Sequence, residues 1–220
     1  MLKVESRSMG GEGVQQAAQR SRMYRLFAEA LEYPDEDLLG AIRSGALAGA
    51  LADGLAAVDP ALAAAVDRDA LADAGEDDAL EVEYTRLFDV GLSGPPCPLY
   101  GGLYGGARMQ TMEEAVRFYN YFGLTLAGEP RELPDHVITE LEFLHYLAYR
   151  EAEALERGED PGPFQRAQRD FVERHPGRWV PKLRERLERQ EAMRFFPALV
   201  RALERFLAYV HAHLAREASS

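Results

Sequence analysis

The strongest constraint on the fold is an apolar stripe that repeats at helical spacing in the second half of the chain. The apolar residues recur at steps of four, three, four, four and three, at Val137, Leu141, Leu144, Ala148, Ala152 and Leu155. Residues three and four apart share one face of an α-helix, so the stripe predicts a long amphipathic helix that buries this face. We expect the helix to open at Leu133 and to end at the Gly- and Pro-containing residues 158–163.

Helical spacing recurs along most of the chain, whereas strand-type alternation rich in Val, Ile and Thr is absent. We predict a first helix that stops before Tyr33-Pro34, short helices between residues 35 and 74, and a final helix from Phe196 to Leu214. Further helices are predicted over residues 76–88, 109–122, 164–173 and 182–190. The sequence therefore predicts an all-α fold: a single-domain bundle of about eight to ten helices over residues 14–220, after a flexible leader over residues 1–13.

Residues 91–106, GLSGPPCPLYGGLYGG, interrupt the helical pattern. They contain six glycines and three prolines, a composition that breaks both helix and sheet. Gly/Pro loops of this length are uncommon inside compact domains and are usually functional or disordered. Leu99 and Tyr100 favour burial or a ligand, so we predict one functional loop here.

Charge and cysteine content exclude several classes of function. The net charge of −12 argues against a nucleic-acid partner and against adhesion to anionic lipid, and it suits either a basic partner or solubility alone.

The single cysteine, Cys97, excludes an intramolecular disulfide and a Cys-ligated cluster within one chain. Without a secretory signal or a run of about 18 apolar residues, we expect a soluble cytoplasmic protein with no membrane insertion.

Few residues suggest catalysis or metal binding. Glu142 and His145 form the Glu-x-x-His unit of di-iron carboxylate sites, but the second unit that such sites need is missing. His136 and Glu140 have the spacing of two metal ligands, and no third ligand is evident. Cys97 has no histidine near it in sequence, and the glycine-rich loop lacks a phosphate-loop ending. We predict no catalytic residue, metal or cofactor, and keep a helical metal-binding redox protein as an alternative.

The opening of the long helix is better explained by structure than by chemistry, with one exception. Pro134 suits a first helical turn, and Asp135 suits the positive end of the helix dipole. Neither argument explains His136, which shares a second helix face with Glu140 and Phe143. A face that mixes acid, imidazole and apolar groups suits a peptide carrying arginines and leucines. The residues alone still favour a structural histidine, and an adaptor that binds a partner's helix is a further alternative.

Six short motifs follow one another from Tyr24 onwards. They are Tyr24-Arg25-Leu26-Phe27 with Tyr33-Pro34-Asp35; Glu83-Tyr84-Thr85-Arg86-Leu87-Phe88; Gly94-Pro95-Pro96-Cys97-Pro98-Leu99-Tyr100; the stretch from Tyr119 to Leu124; Pro134-Asp135-His136 followed by Glu140-Leu141-Glu142-Phe143-Leu144; and Phe171, His175 and Trp179. In this order they resemble the TorD/DmsD/NarJ family of cytoplasmic chaperones that mature molybdoenzymes. The resemblance covers most of the chain.

The resemblance implies a chaperone rather than an enzyme. Such a protein binds the twin-arginine signal peptide of a DMSO-reductase-type molybdoenzyme and holds the apoprotein in the cytoplasm until its molybdopterin cofactor is inserted. In some members the Asp-His pair and the Gly/Pro loop contribute to leader binding, which here implies Asp135, His136, Pro95, Pro96, Leu99 and Tyr100. A monomer or a helix-swapped dimer is expected, with residues 158–163 as a hinge.

The residues themselves add three candidates to this peptide-binding site. Glu140 and Phe143 lie on the second face of the long helix, and Glu83 belongs to an acidic stretch just before the loop. A twin-arginine leader has a basic and an apolar region. Its arginines would pair with carboxylates, and its leucines would gain affinity by burial.

Overall fold

The computed structural model of the protein describes residues 5–92, 94–125 and 133–217. Over these residues the chain forms ten α-helices and no β-strand, which confirms the predicted all-α bundle. The helices are α1 (Glu5–Ala30), α2 (Glu36–Arg43), α3 (Ala46–Val58), α4 (Pro60–Ala63), α5 (Ala79–Tyr84), α6 (Arg108–Tyr121), α7 (Val137–Arg157), α8 (Gly162–Arg174), α9 (Pro176–Arg189) and α10 (Phe195–Glu217). A π-helical turn, Thr85–Asp89, continues α5, and a 3-10 turn, Gly101–Leu103, lies in the Gly/Pro loop.

Helix α7 is the centre of the bundle, with α1 packed along its length and α8 against another side. The predicted apolar stripe is its buried face: Val137, Leu141, Leu144 and Ala148 have no exposed surface. Leu155, at the end of the stripe, is partly exposed. The periodicity therefore identified the central helix, because only a helix with packed neighbours keeps such a face out of water.

A buried ion pair ties α1 to α7 inside the bundle. The guanidinium of Arg20 lies 2.7 Å from both carboxylate oxygens of Glu151, and both side chains are almost wholly buried. The amide of Gln168, from α8, donates to the same carboxylate at 2.7 Å. This arrangement satisfies most of the buried carboxylate's hydrogen-bonding capacity, as a buried charge requires.

Two helix starts differ from the predictions. Helix α9 begins at Pro176, six residues before its predicted start at residue 182, because proline is tolerated in a first helical turn whose N–H groups need no helical partner. Helix α1 begins at Glu5, so residues 5–13 of the expected leader are helical. The domain boundary at residue 13 stays a prediction.

Among the described residues, no single helix combines the length and apolar character needed to cross a bilayer. Helices α2 and α3, bent by 73° at their junction, pass that test only when they are taken together.

Candidate peptide-binding site

The Gly/Pro loop is fastened to the start of α7. The Gly101 N–H donates to the Asp135 carbonyl at 2.8 Å, and the Val137 N–H donates to the Leu99 carbonyl at 2.9 Å. These two bonds make Tyr100 and His136 an isolated antiparallel bridge. The structure thus brings together two segments that the sequence assigned separately to the site.

Asp135 holds the loop from inside. Its side chain is fully buried, and Oδ2 accepts a 2.9 Å hydrogen bond from the Gly102 N–H. A Cβ atom at Gly102 would lie only 2.9 Å from this oxygen, so glycine permits the close approach. The hydroxyl of Tyr119 donates to the neighbouring Pro134 carbonyl at 2.7 Å. In this conformation the Asp135 carboxylate offers no surface to a peptide.

His136 begins α7 instead of lying within its first turn. Its backbone is extended, and its Nδ1 accepts from the Ile138 N–H at 3.3 Å, so it is the N-cap. Pro134 and Asp135 therefore precede the helix, and the expectation that they form its first turn is wrong. The imidazole also packs edge-on against Tyr100, with ring centroids 4.8 Å apart.

A buried pair of side chains supports the loop from below. The indole Nε1 of Trp179 donates to Glu140 Oε2 at 2.9 Å, and a Cβ atom at Gly101 would lie 2.7 Å from the same indole nitrogen. Burial raises the pKa of Glu140 well above its ordinary value. Burial also lowers the pKa of His175, whose Nδ1 lies 3.7 Å from Glu140 Oε1, to about 4. Both shifts favour an uncharged pair.

Phe143 is buried among aromatic rings. Its centroid lies 4.8 Å from those of Tyr119 and Phe171, and its side chain is almost fully covered. The second face of α7, which the sequence suggested for ligand contact, is therefore interior as well. Glu140 and Phe143 offer a peptide no surface in this conformation.

The remaining predicted residues lie along the loop and beside it. Leu99 is buried, while Pro95, Pro96 and Tyr100 are partly exposed. Burial raises the pKa of the Cys97 thiol to about 11, so it is protonated at neutral pH and unsuited to act as a nucleophile.

Glu83 is engaged by its own chain. Its carboxylate receives two bonds from the Arg86 guanidinium, at 2.8 and 3.0 Å, and one from the Met193 N–H at 2.9 Å. Its side chain is about nine-tenths buried. A peptide arginine would have to compete with Arg86 for this carboxylate.

An open groove of about 540 Å³ runs beside the loop, between the end of α1, the π-helical turn and the start of α7. We call it the loop groove. Its walls are Glu32, Tyr33, Asp35, Tyr84, Phe88, Asp89, Leu99, Tyr100, His136 and Ile138. Leu99, Tyr100 and His136 were predicted for the site, whereas the other members were missed. The available signal was the Tyr33-Pro34-Asp35 motif, which the structure places on the opposite wall.

The loop groove combines carboxylates with aromatic rings. Glu32 and Asp35 are exposed at its rim, and Tyr33 is half exposed beside them. Partial burial, followed by the nearby carboxylates of Glu29, Glu142 and Asp35, raises the pKa of Glu32. A cation placed here would relieve this crowding of negative charge.

The structure separates the side chains that the metal alternative needs. His145 Nδ1 lies 2.8 Å from the Ser21 hydroxyl on α1, while Glu142 is exposed. Glu140 is directed to Trp179, and His136 packs on Tyr100. Within the described ranges, no three His, Cys, Asp or Glu side chains are grouped so as to hold a metal ion.

Comparison with known proteins identifies the family. A family model described as the nitrate reductase delta subunit matches residues 48–185, more than half of the chain. The chain belongs to this family. The matched residues include the Gly/Pro loop, the start of α7 and Trp179, which are the parts that the hydrogen bonds above join.

Named relatives of this delta-subunit-family protein are assembly chaperones. The chlorate reductase assembly chaperone of Ideonella dechloratans is 36% identical over 170 residues, 76% of either chain. The selenate reductase assembly chaperone of Thauera selenatis is 35% identical over 185 residues, 82% of this chain and 84% of the relative. The perchlorate reductase assembly chaperone of Dechloromonas aromatica (strain RCB) is 34% identical over 210 residues, 92% of both. The resemblance to the TorD/DmsD/NarJ family is confirmed, and the protein is a maturation chaperone rather than a catalyst.

Proposed function

We propose that this protein is a cytoplasmic chaperone for a DMSO-reductase-type molybdoenzyme. It binds the twin-arginine signal peptide and the apoprotein, and it supports cofactor insertion before export or assembly. The relatives' names, which specify chlorate, selenate and perchlorate reductases, support a reductase as the client. The observation that carries the leader-binding part is the loop groove, where exposed carboxylates lie beside aromatic walls.

The groove has the chemistry that a twin-arginine leader requires. Guanidinium groups form paired, charge-assisted hydrogen bonds with carboxylates, and Glu32 and Asp35 present such carboxylates at the rim. Arginine also stacks on aromatic faces, which the half-exposed ring of Tyr33 provides. The leucines of the leader would cover the partly exposed walls formed by Tyr100 and Ile138, at about 25 cal/mol per Å² of apolar surface removed from water.

The predicted site residues divide by position into three groups. Tyr100 and His136 line the groove and contact the leader, while the buried Leu99 anchors the loop at the groove wall. Asp135, Glu140 and Phe143 position the loop and the start of α7 from inside. Pro95, Pro96 and Glu83 lie along the loop and next to it; we assign the prolines to loop shape and Glu83 to the arginine-rich end of the leader.

Calorimetry tests the proposal directly. The client reductase is first captured from the native cytoplasm with this protein as bait, and a peptide with the client's leader sequence is then titrated into the protein. We expect Glu32→Gln to weaken binding about tenfold, the equivalent of about 1.4 kcal/mol. Asp35→Asn should weaken binding by a similar amount. This loss reports on the charge alone, because an asparagine still caps α2 by accepting from the Leu38 N–H, as Asp35 does. Glu185→Gln, on α9 and outside the groove, is the control.

The same titration separates leader binding from a generic adaptor role. A leader whose two arginines are replaced by lysines should bind at least tenfold more weakly, because lysine does not reproduce the paired guanidinium geometry. Equal affinity for both peptides would favour the adaptor. Failure of the client's own leader to bind would refute the leader-binding role.

A further inference from the structure

Four basic side chains recur at four-residue steps along the end of α8 and through α9. They are Arg174, Arg178, Lys182 and Arg186. Four-residue spacing places α9 residues on one face of the helix, where neighbouring like charges repel. This face is therefore a local concentration of positive charge on a protein whose net charge is −12.

Three of these cations differ from other arginines of the same helix. Arg184 pairs with Glu188 and Glu204, and Arg189 pairs with Glu185. In contrast, no ion pair found in the described part of the chain involves Arg178, Lys182 or Arg186. Among the residues that the structure describes, no carboxylate therefore lies close enough to these three cations to form an ion pair.

The loop holds two of these cations by uncharged groups. The ammonium of Lys182 donates to the Tyr104 carbonyl at 2.8 Å. The guanidinium of Arg186 donates to the Leu103 carbonyl at 3.2 Å and lies 4.2 Å from the ring centroid of Tyr104. These contacts fix both side chains beside the loop without cancelling their charge.

A small cavity of about 40 Å³ opens beside this row. Its walls include Gly105, Thr111, His175, Arg178 and Lys182. They also include Glu114, whose carboxylate is paired with Arg174 at 3.2 Å, so Arg178 and Lys182 are the wall cations outside that pair. Gly105 has a φ of +127°, and a Cβ atom there would lie 3.4 Å from the Lys182 ammonium, so a side chain at this position would crowd the entrance. At roughly 10–15 Å³ for each water-sized sphere, the cavity accepts a compact group of a few atoms and excludes a nucleoside.

His175 gives the cavity a buried polar wall. Its side chain has no exposed surface, and neither ring nitrogen has a hydrogen-bond partner among the residues that the structure describes. The nearest carboxylate oxygen, Oε1 of Glu140, lies 3.7 Å from Nδ1, too far for a hydrogen bond. Buried polar atoms without a protein partner call for an explanation, and a ligand in the cavity supplies one.

We propose that this cavity binds a small tetrahedral oxyanion: a phosphate ion or the phosphoryl group of a larger ligand. Arg178 and Lys182 supply the charge, and an N–H of His175 supplies a buried donor. The Thr111 hydroxyl, which in the structure donates to the Ala107 carbonyl at 3.5 Å, turns to supply a neutral donor. The site is separate from the loop groove and does not depend on leader binding, since the two cavities share no wall residue.

A titration with inorganic phosphate at constant ionic strength, balanced with chloride, tests the site. We expect saturable one-site shifts in the amide resonances of Gly105 and Thr111. The pKa of His175 should rise with bound phosphate, because a nearby anion favours the imidazolium. Arg178→Gln and Lys182→Gln should each weaken binding about tenfold. Thr111→Val should weaken it while leaving the charge unchanged, and unfolding curves confirm that each variant folds.

Arg189→Gln is the matched control, because it removes one positive charge from α9 at a residue outside the cavity wall. An equal loss of affinity in this control, or shifts that never saturate, would show diffuse charge attraction only and would overturn the site. Tighter binding of a phosphate-free aspartate peptide than of phosphate would overturn it in favour of a protein-binding surface.

A phosphate monoester such as glycerol phosphate then identifies the source of the oxyanion. Affinity equal to or greater than that for inorganic phosphate supports a phosphoryl group carried by a larger ligand. Exclusion of the monoester supports the free ion.

Discussion

Asp135 and Gly102, 33 residues apart in the chain, are joined by a 2.9 Å hydrogen bond from the Gly102 N–H to the buried Oδ2 of Asp135. This bond fixes the Gly/Pro loop against the residue that precedes the cap of α7. The resemblance implied that Asp135 contacts the leader. In the structure, Asp135 instead supports the binding surface from inside. The distinction can be tested by substitution.

Asp135→Asn should retain leader binding, whereas Asp135→Ala should lose most of it. Asparagine keeps an oxygen that accepts from Gly102, while alanine leaves a buried N–H unpaired at a cost of about 1–3 kcal/mol. Calorimetry with the leader peptide and chemical unfolding measure the two effects. If Asp135→Asn binds as weakly as Asp135→Ala although it is as stable as the wild type, the carboxylate charge contacts the leader directly.

Gly101→Ala should destabilise the protein by about 1–3 kcal/mol and weaken leader binding. Its new methyl group would lie 2.7 Å from the Trp179 indole nitrogen, so the loop or the indole must shift. Gly40→Ala is the control, since no atom lies within 4 Å of its Cβ position and alanine favours the helical state by about 0.5–1 kcal/mol. Unfolding midpoints of the two variants should move in opposite directions. A stable, fully binding Gly101→Ala protein would contradict the close contact.

Glu140 gives the stability a defined dependence on pH. Burial raises its pKa above the ordinary value of 4.5, so its stabilising contribution is complete below pH 4.5 and is lost as pH rises through the raised folded-state pKa. Glu140→Gln keeps an acceptor for Trp179 but cannot ionise. Denaturant unfolding across pH should therefore show this variant gaining stability over the wild type as pH rises. A constant difference would mean that Glu140 titrates normally.

Glu140→Ala provides the matching control for the hydrogen bond itself. It leaves the Trp179 N–H buried without an acceptor. Neither variant can ionise at this position, so Glu140→Ala should be less stable than Glu140→Gln by about 1–3 kcal/mol at every pH. The contrast between a pH-dependent and a pH-independent effect separates the charge of Glu140 from its role as an acceptor.

Glu151→Gln should be the most damaging of these changes, at about 3–5 kcal/mol, because it leaves the buried guanidinium of Arg20 without a counter-charge. Leader affinity measured on the folded fraction should be unchanged, since Arg20 and Glu151 lie outside the loop groove. Glu153→Gln is the control: its side chain is a quarter exposed, and an exposed pair with Arg157 is worth about 0–1 kcal/mol. Similar losses for both variants would mean that the buried pair is solvated.

The sequence predicted the helices well because apolar spacing reports directly on a buried helix face. It predicted the surroundings of α7 less well. Glu140 and Phe143 were expected on a ligand-facing side, but α7 has packed neighbours on more than one side, and periodicity does not show how many faces a central helix buries.

The site itself was only partly predictable for a related reason. Tyr33, Asp35 and Tyr100 meet in one groove although they come from distant segments, and only the packing of α1 against α7 brings them together. Trp179 was recognised as part of a motif, but its contact with Gly101 depends on α9 lying beneath the loop. No local pattern in the sequence contains that information.

The support of the loop by α9 also sets an order of events during synthesis. Lys182, which holds the Tyr104 carbonyl, is made 78 residues after it, and Trp179 is made only slightly earlier than Lys182. While the loop is leaving the ribosome, these supports do not yet exist, so the nascent chain has no finished groove to offer. Competence to receive a client thus arises only after α9 has been made and has folded beneath the loop.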